Sequence, residues 1–186
     1  MSLQVAKYFF TAEEFERMGE AGIFPKDARL ELIEGEIVEL SPIGSRHAAC
    51  VKFFSRYLNR TLGDMALVSI QDPIQLNDLT QPQPDIALLR LRDDFYRESH
   101  PRPGDVLLVI EVADTTVDYD RSIKLPLYAK AGIQEVWLVN LPAAVVEIYA
   151  GPSADAYQFA QQAGRGEEAV AQTVSVLRIP VDLILS

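Results

Sequence analysis

The stretch Asp105-Val106-Leu107-Leu108-Val109-Ile110-Glu111-Val112 is apolar on both faces of an extended chain, the pattern of a strand buried inside a sheet. The residues C-terminal to it set the fold class. Asp114 or Thr115 can cap a helix running toward Ala131-Gly132, where glycine ends helices, and Glu135 to Asn140 encloses a second apolar run, Val136-Trp137-Leu138-Val139. A strand, a helix and a strand predict a parallel crossover, which is right-handed in such units, and hence an α/β protein. Pro126 falls inside this helix. Proline lacks an N–H and disfavours helical geometry at the preceding Leu125, so the helix should kink or start late.

On either side of this unit, Leu67 to Gln71 and Pro84 to Arg90 read as strands N-terminal to it, and Val145 to Tyr149 as a strand after the turn at Leu141-Pro142. Val51, Phe54, Leu58 and Leu62 recur at helical spacing between Ser45, a candidate N-cap, and Gly63, a candidate stop. His47 shares that stripe, at the edge of the core. Glu34-Gly35 separates two short strands, Arg29 to Ile33 and Glu36 to Leu40, and Gly35 supplies the positive φ that a tight hairpin requires. Thr11 and Glu14 have capping-box spacing for a short helix ending near Gly19. Beyond Tyr157 the pattern is of strand pieces broken at Gly164-Arg165-Gly166. With 186 residues, no repeat and no linker-like segment, the chain reads as one domain, residues 1–186.

Composition removes several function classes. No apolar run approaches the ~20 residues of a membrane span, and the N-terminus lacks a secretory signal's apolar core, so the expected location is cytoplasmic. The one cysteine, Cys50, sits between apolar neighbours and should be a buried, inert thiol. A net charge of −10 argues against a basic nucleic-acid coat protein. Residues 46–130 are nearly neutral, however, with 12 acids and 11 bases. Lys52, Arg56 and Arg60 form one helical stripe there, and Arg90, Arg92, Arg97 and Arg102 crowd one segment. These could meet phosphate or be ordinary solvated charge. Zincin, paired-cysteine, Walker, nucleophile-elbow and dinucleotide motifs are all absent from the sequence.

The chemistry-bearing residues emerge from hairpin arithmetic. If the connection 91–105 is symmetric, facing positions on the two strands have numbers totalling 196, and Asp85 faces Glu111. Facing residues share a sheet face with Cβ atoms ~5 Å apart, where like charges destabilise unless a cation compensates. Two carboxylates so placed suit Mg²⁺. An asymmetric loop would instead leave both acids at strand ends in solvent. Lys124 lies on a helical stripe with Asp120, Leu127, Tyr128 and Ala131 and can point toward the sheet, or its stem can pack while the ammonium reaches water. His100, beside Pro101 in a charged loop, should be exposed. Trp137 should be a buried strand aromatic.

Arg29-x-Glu31-Leu32-x-x-Gly35, His47, Pro84-Asp85, Glu111-Val112, Asp120-Arg121-x-x-Lys124-Leu-Pro-Leu-Tyr-Ala and Gly132-Ile-Gln-Glu-Val-Trp-Leu-Val together resemble the Uma-type restriction-endonuclease family, long labelled a domain of unknown function. The likeness spans nearly the whole chain and is most specific from Glu111 to Val139. That family is assigned to the PD-(D/E)XK nucleases. The resemblance therefore implies a restriction-endonuclease-like core, a central mixed β-sheet flanked by helices, with the N-terminal helix and β-hairpin as additions. It also implies Mg²⁺-dependent cleavage of DNA, with Mn²⁺ able to substitute. Because enzymes that cut both strands commonly act as symmetric pairs and cyclic dimers are the commonest oligomers, a homodimer is expected. By the resemblance Asp85 and Glu111 hold the metal and, with Lys124, form the catalytic set. Ala113 stands where the superfamily has its motif lysine, and Lys124 corresponds to the helix lysine that replaces it in this family. Glu31 and His47 match family positions bordering the metal. The missing lysine and the acidic charge motivate an alternative, a catalytically inactive nuclease-fold domain that binds nucleic acid or protein; a third option, an enzyme acting on some other phosphorylated ligand, would show a closed pocket too small for a duplex.

Overall fold

The computed structural model describes residues 6–185. Local sequence rules account for its N-terminal part. Helix α1, Ala12–Glu20, begins at Thr11 with both halves of the capping box formed. The hairpin of β1, Leu30–Ile33, and β2, Glu36–Glu39, turns through Glu34 and Gly35, both at positive φ. At Gly35 a side chain is excluded twice over, because an added Cβ would lie 2.5 Å from the Cβ of Phe9. Helix α2, Ser45–Leu62, is capped by Gly44 rather than Ser45, which is the first helical residue and makes no capping bond. Gly44 serves because its extended backbone is what the position requires, and a one-residue shift of a helix end is small. Gly63 ends the helix at φ +47°.

A six-stranded mixed sheet forms the centre, in the order β3-β4-β5-β6-β7-β8. Its strands are β3, Leu67–Ile70; β4, Ile86–Leu89; β5, Val106–Ala113; β6, Glu135–Asn140; β7, Val145–Ser153; and β8, Ala156–Ala163. Only β5 and β6 pair in parallel, as the crossover predicts; the other neighbours are antiparallel. Three β4–β5 pairs, Ile86–Ile110, Ala87–Val109 and Leu88–Leu108, have position numbers totalling 196, and a bulge then pairs Leu89 with Val106. The symmetric-loop register therefore holds at the end of the hairpin nearer Asp85.

The crossover corrects the expected single helix. Helix α3, Val117–Tyr119, runs into a π-helical turn, Asp120–Lys124, and then α4, Leu125–Ala131, which ends at left-handed Gly132. Pro126 lies in the first turn of α4, where a missing N–H costs least, and the wide π turn directly precedes it. Helices cover both sheet faces. Phe54, Leu58 and Leu62 of α2 pack with Ile86, Leu108, Ile110 and Trp137, while Leu125 and Tyr128 of α4 pack with Ala87, Val109 and Val136. Burying each such large side chain contributes roughly 1.5–3 kcal/mol. β9, Glu168–Val170, pairs with β10, Arg178–Pro180, and α5, Val181–Ile184, closes the first of these cores. Among the described residues no helix is long and apolar enough to cross a membrane.

Candidate active site

Residues of alternating parity on β5 point to opposite faces, so Glu111 shares the α4 face with Val109 while Ile110 and Val112 face α2. Asp85, one residue before β4, continues the antiparallel pairing on the same face as Ala87, and its backbone N–H donates to Glu111 Oε2 at 3.3 Å. Lys124 points inward. Its side chain is only 5% exposed, and Nζ donates to Glu31 Oε1 at 2.8 Å and to Glu111 Oε1 at 3.2 Å. The alternative of an ammonium reaching water does not occur. Ala113 is buried, and the ammonium next to Glu111 comes from the crossover helix.

Other groups hold this arrangement. Asp85 Oδ2 meets His47 Nε2 at 2.9 Å and the Val112 N–H at 2.9 Å, and Oδ1 accepts from Gln71 Nε2 at 3.0 Å. Tyr128 donates to Glu111 Oε1 at 2.6 Å. Glu31 reaches the site because β1 docks on the loop before β4 through paired bonds between Leu32 and Gln81, and the Gln83 N–H donates to Glu31 Oε1. Asp120, from the π turn, accepts from Thr116 Oγ1 at 2.7 Å. The sequence brings Asp85, Glu111, Lys124, Glu31 and His47 forward as site residues, and all five meet here. It does not mark Gln71, Asp120, Tyr119 or Tyr128 as members of the site. For Asp120 the available signal was its i, i+4 spacing from Lys124.

Burial and charge compete throughout. Burial alone would raise the Asp85 pKa, but His47, the Val112 N–H and Gln71 together bring it below its ordinary value. Glu111 goes the other way: burial raises it to about 8, helped by Asp120, Asp85 and Glu31 and only partly opposed by Lys124. Asp120 is likewise raised, chiefly by burial. Burial disfavours charge on Lys124, but Glu111, Glu31 and Asp120 outweigh it and hold the ammonium protonated. Four buried carboxylates thus face one ammonium, with His47 at the edge.

A pocket of about 190 Å³ opens onto these groups, lined by Arg29, Leu40 to Gly44, His47, Gln83, Asp85, Glu111, Asp114 to Thr116, Tyr119, Asp120 and Lys124. Among the described residues no three His, Cys, Asp or Glu side chains gather into a metal-binding group. Asp85 and Glu111 still offer the one or two carboxylates with which Mg²⁺ is typically held, and the excess negative charge fits a cation. The arginine-rich segment lies at the opposite end of the β4–β5 hairpin, where Arg92 is paired with Asp94 and stacked on Tyr96. Lys52, Arg56 and Arg60 are exposed on α2. His100 is partly covered rather than open, with its side chain 3.6 Å from Glu16. Cys50 is buried, which pushes its thiol up to about 12, and Trp137 is fully buried.

Comparison with known proteins places this geometry. No curated protein sequence matches the chain. The structure is similar to the crystal structure of an Anabaena variabilis ATCC 29413 protein described as "a putative nuclease belonging to DUF820", with a TM-score of 0.73 over 95% of this chain and 97% of that one. At 17% identity the likeness is one of fold. A profile of the Uma2 family, described as "Putative restriction endonuclease", matches residues 12–182, so the chain belongs to that family.

Proposed function

We propose that the protein is a metal-dependent endonuclease hydrolysing DNA phosphodiester bonds, with Asp85, Glu111 and Lys124 as its catalytic residues. The observation that supports this most is the convergence of those three side chains, each under a tenth exposed, on one pocket wall. Family membership and the nuclease described in Anabaena point the same way. Mg²⁺, or Mn²⁺ in its place, held by Asp85 and Glu111 would lower the pKa of a bound water and polarise the scissile phosphate.

The chain's own residues supply the rest. His47, Gln71 and the Val112 N–H fix the Asp85 carboxylate in orientation and keep it ionised. Tyr128 and Lys124 fix Glu111. Lys124 is held protonated, so it serves as a cation and donor rather than a base. Two of its three N–H bonds go to Glu31 and Glu111, and the third can meet a phosphate oxygen or the attacking water. Its charge opposes the negative charge that builds on phosphorus-bound oxygens. A symmetric pair of chains would present two such sites to the two strands of a duplex.

The test is cleavage of supercoiled, linear and single-stranded DNA by wild type and Asp85→Ala, with Mg²⁺, Mn²⁺ or chelator. Cleavage that requires both the metal and Asp85 is expected. Metal binding measured by calorimetry without any cleavage would overturn it in favour of a binding module, and full activity in Asp85→Ala would remove Asp85 from the mechanism.

A further inference from the structure

Among the described residues two lysine or arginine side chains line the pocket, Lys124 and Arg29, and they are placed differently. Lys124 is enclosed, with Nζ bonded to Glu31 and Glu111. Arg29 extends the β1–β2 ladder by one residue, because the Leu40 N–H donates to its carbonyl at 2.8 Å, so side-chain alternation puts it on the same strand face as Glu31. Glu31 is fully buried against Lys124, whereas Arg29, about 7 Å back along the strand, is half-buried and stands at the pocket mouth.

The Arg29 guanidinium is almost uncommitted. Among the described residues it makes no ion pair, and its one hydrogen bond, from Nη1 to the Ser41 carbonyl, is 3.3 Å long and exposed. Asp114, the least buried carboxylate of the pocket, pairs with Arg46 instead. The loop after β2 does not depend on that long bond, since its first residue is already fixed by the Leu40–Arg29 backbone bond. A guanidinium carries five N–H donors in a planar fork, and two parallel donors match two oxygens of a phosphate. An anion entering this pocket meets the buried carboxylates of Glu31, Asp85, Glu111 and Asp120, while Lys124 is already engaged with two of them. Arg29 is the positive charge left to attract it.

We propose that Arg29 is a substrate-binding residue whose guanidinium forks onto a backbone phosphate of DNA at the pocket mouth. This rests on the reading of the pocket as a DNA-cleavage site. The role is one of binding, because Arg29 stands outside the buried cluster around Asp85 and Glu111.

The experiment is equilibrium binding of a fluorescently labelled DNA duplex across a range of salt concentrations, with Ca²⁺ replacing Mg²⁺ so that no chemistry intervenes. Wild type is compared with Arg29→Gln, Arg29→Lys and Arg92→Gln, the last a control of equal charge change at the far end of the β4–β5 hairpin, where Arg92 is paired with Asp94. Arg29→Gln should weaken binding about tenfold, the usual worth of hydrogen bonds to a charged group, and reduce the slope of log affinity against log salt by about one. Arg29→Lys keeps the charge without the fork, so it should keep the slope and recover part of the affinity. Arg92→Gln should change neither. Unchanged affinity in Arg29→Gln, a loss with no change of slope, or an equal loss in Arg92→Gln overturns the assignment, while wild-type binding leaves the nuclease reading standing. A wild type with no affinity for the duplex overturns both.

Discussion

Two groups of buried carboxylates sit on this sheet, and they are treated in opposite ways. Glu135 and Glu147, on β6 and β7, have every oxygen satisfied. Glu135 accepts from the Trp137 indole, two backbone N–H groups and the Thr173 hydroxyl; Glu147 accepts from Arg121, Asn140 and Tyr149. At Glu147 burial is outweighed by the hydrogen bonds from Arg121, Tyr149 and Asn140, which lower its pKa. Across β5 the balance reverses. Glu31 Oε2 has no partner, and Glu111 and Asp120 are held above their ordinary range. A satisfied carboxylate ties strands and loops together. A crowded, underpaired one costs stability and persists where something outside the chain completes it.

The sharpest way to separate the two groups is Glu111→Gln. If Glu111 holds the metal as proposed, its loss should lower cleavage by on the order of 10³-fold while leaving the fold intact. It should also change the pH dependence of stability. An acid whose pKa is higher in the folded chain binds its proton more tightly when folded. Its contribution is complete below the ordinary value of 4.5 and is lost as pH rises through about 8. The metal-free wild type should therefore lose Tm between about pH 4.5 and about pH 8, and Glu111→Gln should flatten that slope. An identical slope in the variant would show that the strain lies elsewhere.

Glu135→Ala is the converse. It strands several buried donors at once and should cost about 3 kcal/mol in denaturant unfolding, with cleavage per folded molecule unchanged. The smallest effect is expected for Tyr149→Phe, which removes one bond from Glu147 and should cost about 1 kcal/mol without altering activity. If either change lowered cleavage at full folding, the two groups would not be functionally separate.

Much of the pocket wall is legible in the sequence because local pairing rules determine it. The β4–β5 register follows from loop symmetry, and the inward direction of Lys124 from its stripe. Where bonds join distant segments, sequence patterns are silent. Gln71 meets Asp85 only after β3 pairs with β4, and Glu31 meets Lys124 only because β1 docks on the Gln81 segment. Tyr128 is visible as part of an apolar stripe, and periodicity does not reveal that its hydroxyl completes a hydrogen bond to Glu111. The π turn shows in the sequence only as an irregularity around Pro126, since hydrophobic spacing does not distinguish a widened turn from a kink.

The widened turn also resets the angular phase of the side chains around it. In an α-helix four residues overshoot a full revolution by about 40°, so side chains at i, i+4 and i+8 fan steadily around the axis. A π turn winds less per residue and undershoots. With Asp120–Lys124 in π geometry and Leu125–Ala131 in α geometry, the two drifts cancel, and Asp120, Lys124 and Tyr128 project in nearly one direction. The helix acts as a vernier: one irregular turn aligns a carboxylate, an ammonium and a phenol that a regular helix would spread apart.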